Sequence, residues 1–247
     1  IGRFGDLLDR LGPQDVVSFT GSEATARALR SRISAGPSGV RFIAEQDSLN
    51  ATVLGPDAAP GTPEWEIFLK ETTREITTKA GQKCTAKRRI LVPTALQGAV
   101  EEALEAALAP ITPADPATGD AKMGALASLG QKADVEAKIA LLRQEARAIL
   151  SPEPLDHALM APCLLSVRDA GAARAVHSQE AFGPVATGLG YTSSAEAGAL
   201  VNRGGGSLVT SLITHDPAAA QALVAATATW NGRIYINYRD AAGEATV

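Results

Sequence analysis

The chain has 247 residues, 45% hydrophobic and 20% charged, enough apolar material for a substantial core and too much for a disordered or fibrous protein. Its 23 basic and 27 acidic residues leave a net charge of −4, against the clustered positive charge of a nucleic-acid-coating surface. Cys84 and Cys163, 79 positions apart, form neither a disulfide framework nor a zinc or redox spacing, and no apolar run approaches the roughly 18 residues of a membrane span.

Strands and amphipathic helices alternate along the chain, the mark of an α/β architecture. Asp15 to Thr20 reads as a short strand, Gly21-Ser22-Glu23 opens a helix from Ala24 to about Arg32, and Val40 to Ala44 is a second strand. Ala51 to Leu54 follows as a third, before a connection punctuated by Pro56, Pro60 and Pro63. From Pro63 to Ala80 the spacing of Trp65, Phe68, Leu69, Thr72 and Ile76 predicts a helix. Arg89 to Val92 is a strand stopped by Pro93, and Leu96 to Ala109 a helix with Val100, Leu104 and Leu108 inward. After a Pro/Asp/Gly loop from Pro110 to Gly119, Asp134 to Leu150 reads as a long helix facing inward through Val135, Ile139 and Leu142. The later strands are Leu164–Val167, Val185–Leu189, Leu208–Ile213 and Arg233–Asn237. Helices near Ala195–Asn202 and Pro217–Thr227 separate the last three.

Four places carry residues suited to chemistry. Cys84 lies just past a helix among Lys83, Lys87, Arg88 and Arg89, where nearby cations favour a thiolate; a buried, inert cysteine is the other reading. A papain-like pairing would need a histidine base, and His157, His177 and His215 all read as surface loop residues. Glu45 ends an apolar strand, where ligands collect in open α/β sheets, and is either a general base or a solvated cap. Gly21-Ser22 joins strand to helix without the Gly-x-Gly-x-x-Gly pattern. It is either an anion cradle of backbone N–H groups or a plain helix cap. Glu180, Phe182, Gly183 and Pro184 precede a strand, offering a carboxylate and a ring or simply a turn.

The order and spacing of these places say more than each alone. Phe-Thr-Gly-Ser, a strand ending in Glu45, Gly-Gln-x-Cys with Cys84 39 positions later, Glu-x-Phe-Gly-Pro, and a late Gly-x-(apolar)-x-(apolar)-Asn strand at Gly232–Asn237 together resemble the aldehyde dehydrogenase superfamily. The Glu-x-Asp-Ser-Leu-Asn stretch is similar to one branch. That branch holds the dehydrogenase half of bifunctional phenylacetate-degradation proteins and related CoA-linked semialdehyde dehydrogenases of benzoyl-CoA breakdown.

The resemblance implies an open, mostly parallel catalytic sheet with helices on both faces over residues 48–247. Residues 1–47 would be the C-terminal remnant of a Rossmann-like cofactor domain. It implies NAD or NADP as cofactor, Cys84 as nucleophile through a thiohemiacetal and thioester, and Glu45 as the base that activates water. Gly21 and Ser22 would contact the cofactor pyrophosphate, Glu180 the nicotinamide ribose and Phe182 the nicotinamide, while the Cys84 N–H serves an oxyanion hole. The substrate would be a free or CoA-linked aldehyde, with no metal, nucleic acid or membrane partner, in a cytoplasmic homo-oligomer. Release to coenzyme A and a non-catalytic assembly module are the alternatives. Two departures stand out: Gln46-Asp47-Ser48-Leu49-Asn50 replaces the family's Leu-Gly-Gly-Lys, and Ala26 stands where a glycine is common. Family members run to about twice this length and the chain opens at Ile1 without methionine, so a catalytically inactive piece of a longer protein is expected.

Overall fold

The computed structural model describes residues 5–36, 39–119 and 121–241, and Ile1 lies outside them. The chain divides into two compact units, Ile1–Asp47 and Ser48–Val247.

The first unit is a β-α-β crossover: β1 (Val16–Thr20), α1 (Glu23–Ser34) and β2 (Arg41–Glu45). The two strands are parallel, with Thr20 opposite Glu45. Ser22 caps α1 by accepting the Thr25 N–H, satisfying one of the donors that a helix start leaves unpaired. Ala26, Leu29 and Ile33 form its buried stripe.

The second unit contains β3 (Ala51–Leu54), α2 (Pro63–Thr77), β4 (Arg89–Pro93), α3 (Gln97–Leu108), α4 (Leu129–Leu142) and β5 (Ala146–Leu150). It continues with β6 (Cys163–Val167), β7 (Val185–Tyr191), α5 (Ser194–Asn202), β8 (Ser207–Ile213), α6 (Pro217–Thr227) and β9 (Asn231–Asn237). The sheet order is β5-β6-β7-β4-β3-β8-β9. Every pair is parallel except β5 with β6.

Strand alternation sends neighbouring residues to opposite faces. Ile90 and Val92 of β4 join Trp65 and Phe68 of α2 and Val100 and Leu104 of α3. Leu91, between them, packs with Val135 and Ile139 of α4, Leu200 of α5 and Leu223 of α6. Helices therefore cover both faces, which is why β3 and β4 read as continuous apolar runs.

Beyond shifts of one or two residues at several ends, two elements differ from the sequence reading. The helix expected over Asp134–Leu150 begins earlier, where Ser128 accepts the Gln131 N–H at 3.1 Å, and stops at Leu142. Ala146–Leu150 becomes an edge strand antiparallel to β6; a partner distant in sequence overrides local helix preference there. The helix expected to reach Ala80 leaves α-geometry at Thr78, and Lys79 and Ala80 adopt left-handed backbone at φ 54° and 53°.

Candidate active site

The end of α2 builds the loop that presents Cys84. After Lys79 and Ala80, Gly81 is a third consecutive residue at positive φ, 70°. A β-carbon at Gly81 would stand 2.1 Å from the Gly183 carbonyl oxygen, so glycine is required both by conformation and by close approach. Ala86 N then donates to Lys83 O at 3.0 Å, closing a turn with Cys84 exposed on it.

Asn50, fully buried immediately before β3, holds this turn. Its Nδ2 donates to the carbonyls of Cys84 and Ala86 at 2.8 and 3.0 Å. Its Oδ1 accepts from Ser48 Oγ and the Val209 N–H. With the Cys84 carbonyl fixed, the Cys84 N–H has no partner among the described residues and is available to a developing oxyanion.

Arg88 ties this loop to the Phe-Gly-Pro segment. Its Nε donates to Glu180 Oε1, Nη1 to Gly183 O and Nη2 to Gly81 O, each at 2.9 Å. The Arg88–Glu180 pair is buried, and the other Glu180 oxygen accepts the Ser48 N–H at 2.9 Å. Phe182 is half-buried, its ring 5.3 Å from the Arg88 guanidinium carbon. Gln82 accepts the Ala127 N–H through Oε1 and donates to Phe182 O through Nε2. Cys84, Glu180 and Phe182, 98 positions apart at the extremes, are thus joined through Arg88, Gln82 and Asn50. A run of basic residues gives no sign of which cation becomes the tie, so Arg88 and Asn50 are the residues the sequence reading missed.

The remaining candidates cluster in the first unit, at the C-terminal ends of its parallel strands. The Gly21 N–H donates to Glu45 O at 3.0 Å, and Glu45 is exposed. A β-carbon on Gly21 would meet the Phe19 ring at 2.6 Å. Ser22 serves as the α1 cap, and the Asp47 carboxylate accepts the Glu23 N–H at 3.0 Å. The row of open donors expected for an anion cradle is therefore partly used, and a negative charge already sits on that first turn. Each Glu180 oxygen likewise already accepts a protein hydrogen bond, from Arg88 and from the Ser48 N–H, and the residue is buried, while the half-buried Phe182 ring has a shape suited to a flat heterocycle.

Two further expectations are corrected. Of the four cations beside Cys84, three are bonded to other groups. Lys83 pairs with Glu75 at 2.9 Å and Arg88 with Glu180. Lys87 is buried among Glu75, Glu71, Lys83 and Arg233, and Arg89 is fully buried against the carbonyls of Leu49, Leu200 and Val201. His177 is not a surface residue. It is buried, its Nδ1 lying 3.2 Å from Arg89 Nη1 and its Nε2 3.2 Å from Ala170 O, and Glu145 holds the turn that leads into it by accepting the N–H groups of Arg174 and Val176. His157 and His215 are exposed. Cys163 is buried on β6, its thiol pushed up to about 12 by loss of solvent.

Known proteins resemble this chain in sequence and in fold. Residues 4–246 match the Aldehyde dehydrogenase family. The chain is 41% identical to 3,4-dehydroadipyl-CoA semialdehyde dehydrogenase of Aromatoleum evansii over 94% of its own length and 47% of that protein. It is 34% identical to Protein MaoC of Klebsiella aerogenes over 50% of its length and 38% of that protein. In fold, it resembles a double mutant of betaine aldehyde dehydrogenase from Staphylococcus aureus in complex with NAD+, with a TM-score of 0.78 and 23% identity over 91% of this chain and 44% of that one. The chain spans about half the length, or less, of these relatives. With a family match running through nearly all of its residues, the chain belongs to the aldehyde dehydrogenase family.

Proposed function

We propose that the protein to which these residues belong oxidises an aldehyde to the carboxylic acid with NAD or NADP. In this reading residues 1–47 contribute the end of the dinucleotide-binding domain and 48–247 the catalytic domain. The observation that carries it is Cys84, exposed on a turn whose carbonyls Asn50 holds, in a chain matching the family over residues 4–246.

Cys84 Sγ, as thiolate, adds to the aldehyde carbon, and the Cys84 N–H donates to the resulting oxyanion. A bound nicotinamide supplies the hydride acceptor, with Glu180 and Phe182 holding its end of the cofactor and Gly21 and Ser22 assigned to the pyrophosphate on the family motif. Glu45 takes a proton from water, the oxygen adds to the thioester on Cys84, and the carbon–sulfur bond breaks to release the acid. The 41% identical relative is named for a CoA-linked semialdehyde, which makes that substrate class the first to assay. We assign the whole protein to the cytoplasm as a homo-oligomer.

In the whole protein, Cys84→Ala should abolish aldehyde-dependent NAD(P)H formation. Glu45→Gln should accumulate acyl-enzyme, seen by intact mass as an acyl increment on Cys84. Retained turnover in Cys84→Ala would overturn the nucleophile assignment, and undiminished steady-state turnover in Glu45→Gln the base.

A further inference from the structure

Beside the nucleophile loop lies a small solvent-open cleft of about 40 Å3, bounded by α2, β8, β9 and the residue after Cys84, Thr85. Its charges are unevenly matched. Glu75 is paired with Lys83, and Glu71 accepts a hydrogen bond from Asn237 Nδ2. Lys87, by contrast, is 5% exposed and its ammonium makes no hydrogen bond or ion pair among the described residues. Arg74 and Arg233, also on the wall, have exposed side chains with no such partner either. Two buried hydroxyls of the same wall, Thr72 Oγ1 and Tyr235 Oη, are likewise unsatisfied. A buried ammonium that makes no direct ion pair, beside orphaned hydroxyls and with the surrounding carboxylates, Glu75 and Glu71, already bonded to Lys83 and Asn237, is costly unless something completes it.

We propose that this cleft binds an anionic group, carboxylate or phosphate, carried by the substrate at its end remote from the aldehyde, with Lys87 as the charge that selects it. The inference rests on the reading of Cys84 as nucleophile, because Thr85 places the cleft next to that residue in the chain. A three-donor ammonium on a short reach suits either oxyanion as a point charge. Burial lowers the Lys87 pKa to about 8, the positive Lys83 and Arg233 adding to the fall and Glu75 and Glu71 opposing it. Arg74 and Tyr235 complete the groups facing it. The cation is present below that value and lost above it, so KM for an anionic aldehyde should climb above pH about 8.

The test compares, in the whole protein, kcat/KM for three aldehydes: a neutral alkanal, an ω-carboxylate alkanal of the same length, and a CoA-linked semialdehyde. Lys87→Met should lower the anionic-to-neutral ratio by about tenfold or more, through KM rather than kcat, and Lys87→Arg should restore most of it. A fall for the carboxylate identifies that source, and a fall confined to the CoA-linked aldehyde identifies phosphate; both support the site. A ratio unmoved by Lys87→Met for both overturns it. As a measurement independent of turnover, adipate and inorganic phosphate should slow iodoacetamide labelling of Cys84 in the parent but not in Lys87→Met; equal protection in both would also overturn it. If Cys84→Ala keeps its activity, the nucleophile reading fails instead, which the ratio does not report.

Discussion

Arg89 and His177 show how much of this molecule is decided by single buried side chains. Arg89 places its guanidinium against backbone carbonyls of Leu49, Leu200 and Val201, and the neighbouring imidazole must stay neutral. Loss of solvent, chiefly, with the positive field of Arg89 and Arg203 as a lesser cause, lowers the His177 pKa from 6.5 to about 4; the Ala170 carbonyl and Glu145 oppose the fall. Between those values the unfolded chain takes up a proton that the folded chain refuses, so stability falls as pH drops from 6.5 to about 4 and then levels. The shift corresponds to roughly 3 kcal/mol at most. Denaturant unfolding across that window should show the decline, and His177→Gln should flatten it; an unchanged slope in the variant would assign the pH dependence elsewhere. None of this was readable locally, since His177 looks like any polar-loop histidine until Glu145, 32 positions earlier, holds the turn that leads into it. The motif residues were legible for the opposite reason: Cys84, Glu180 and Phe182 lie in short patterns whose spacing survives without knowledge of their partners.

At the scale of elements, the loop between α2 and β4 is the part most tightly specified. Its left-handed run at Lys79, Ala80 and Gly81 departs from what helical spacing predicts through Ala80, because the chain must reverse to bring Gly81 O and Gly183 O onto one guanidinium. Gly81→Ala places a methyl 2.1 Å from a backbone carbonyl at φ 70°. It should cost on the order of 2 kcal/mol or more, read as a lower denaturation midpoint with turnover reduced in the whole protein. A midpoint equal to the parent's would mean that the two loops separate freely, contrary to the Arg88 bonds. Interior strands such as β3 were legible because both faces are apolar. Strand β5 was not, because Arg147 and its alternating neighbours acquire strand character only from pairing with Ser166 and Leu165.

For the whole molecule, the distribution of buried apolar side chains sets what can fold. Both large clusters are built from residues between Ala51 and Ile236, on the two faces of a seven-stranded sheet. The first unit offers two strands with Val16 45% and Ile43 61% exposed, and two strands over a single helix are marginal in water. Residues 48–247 produced alone should therefore keep a cooperative thermal transition and their helix signal by circular dichroism, whereas residues 1–47 alone should show no transition. The same piece, 48–247, lacks Glu45, Gly21 and Ser22, and the full 247 residues match only 47% of the relative's length. Neither is expected to reduce NAD(P) measurably, yet both should alkylate at the exposed Cys84. A non-cooperative melt for 48–247 would show that its core depends on the first unit, and robust NAD(P)H formation by the 247-residue chain would show that the assigned residues suffice by themselves.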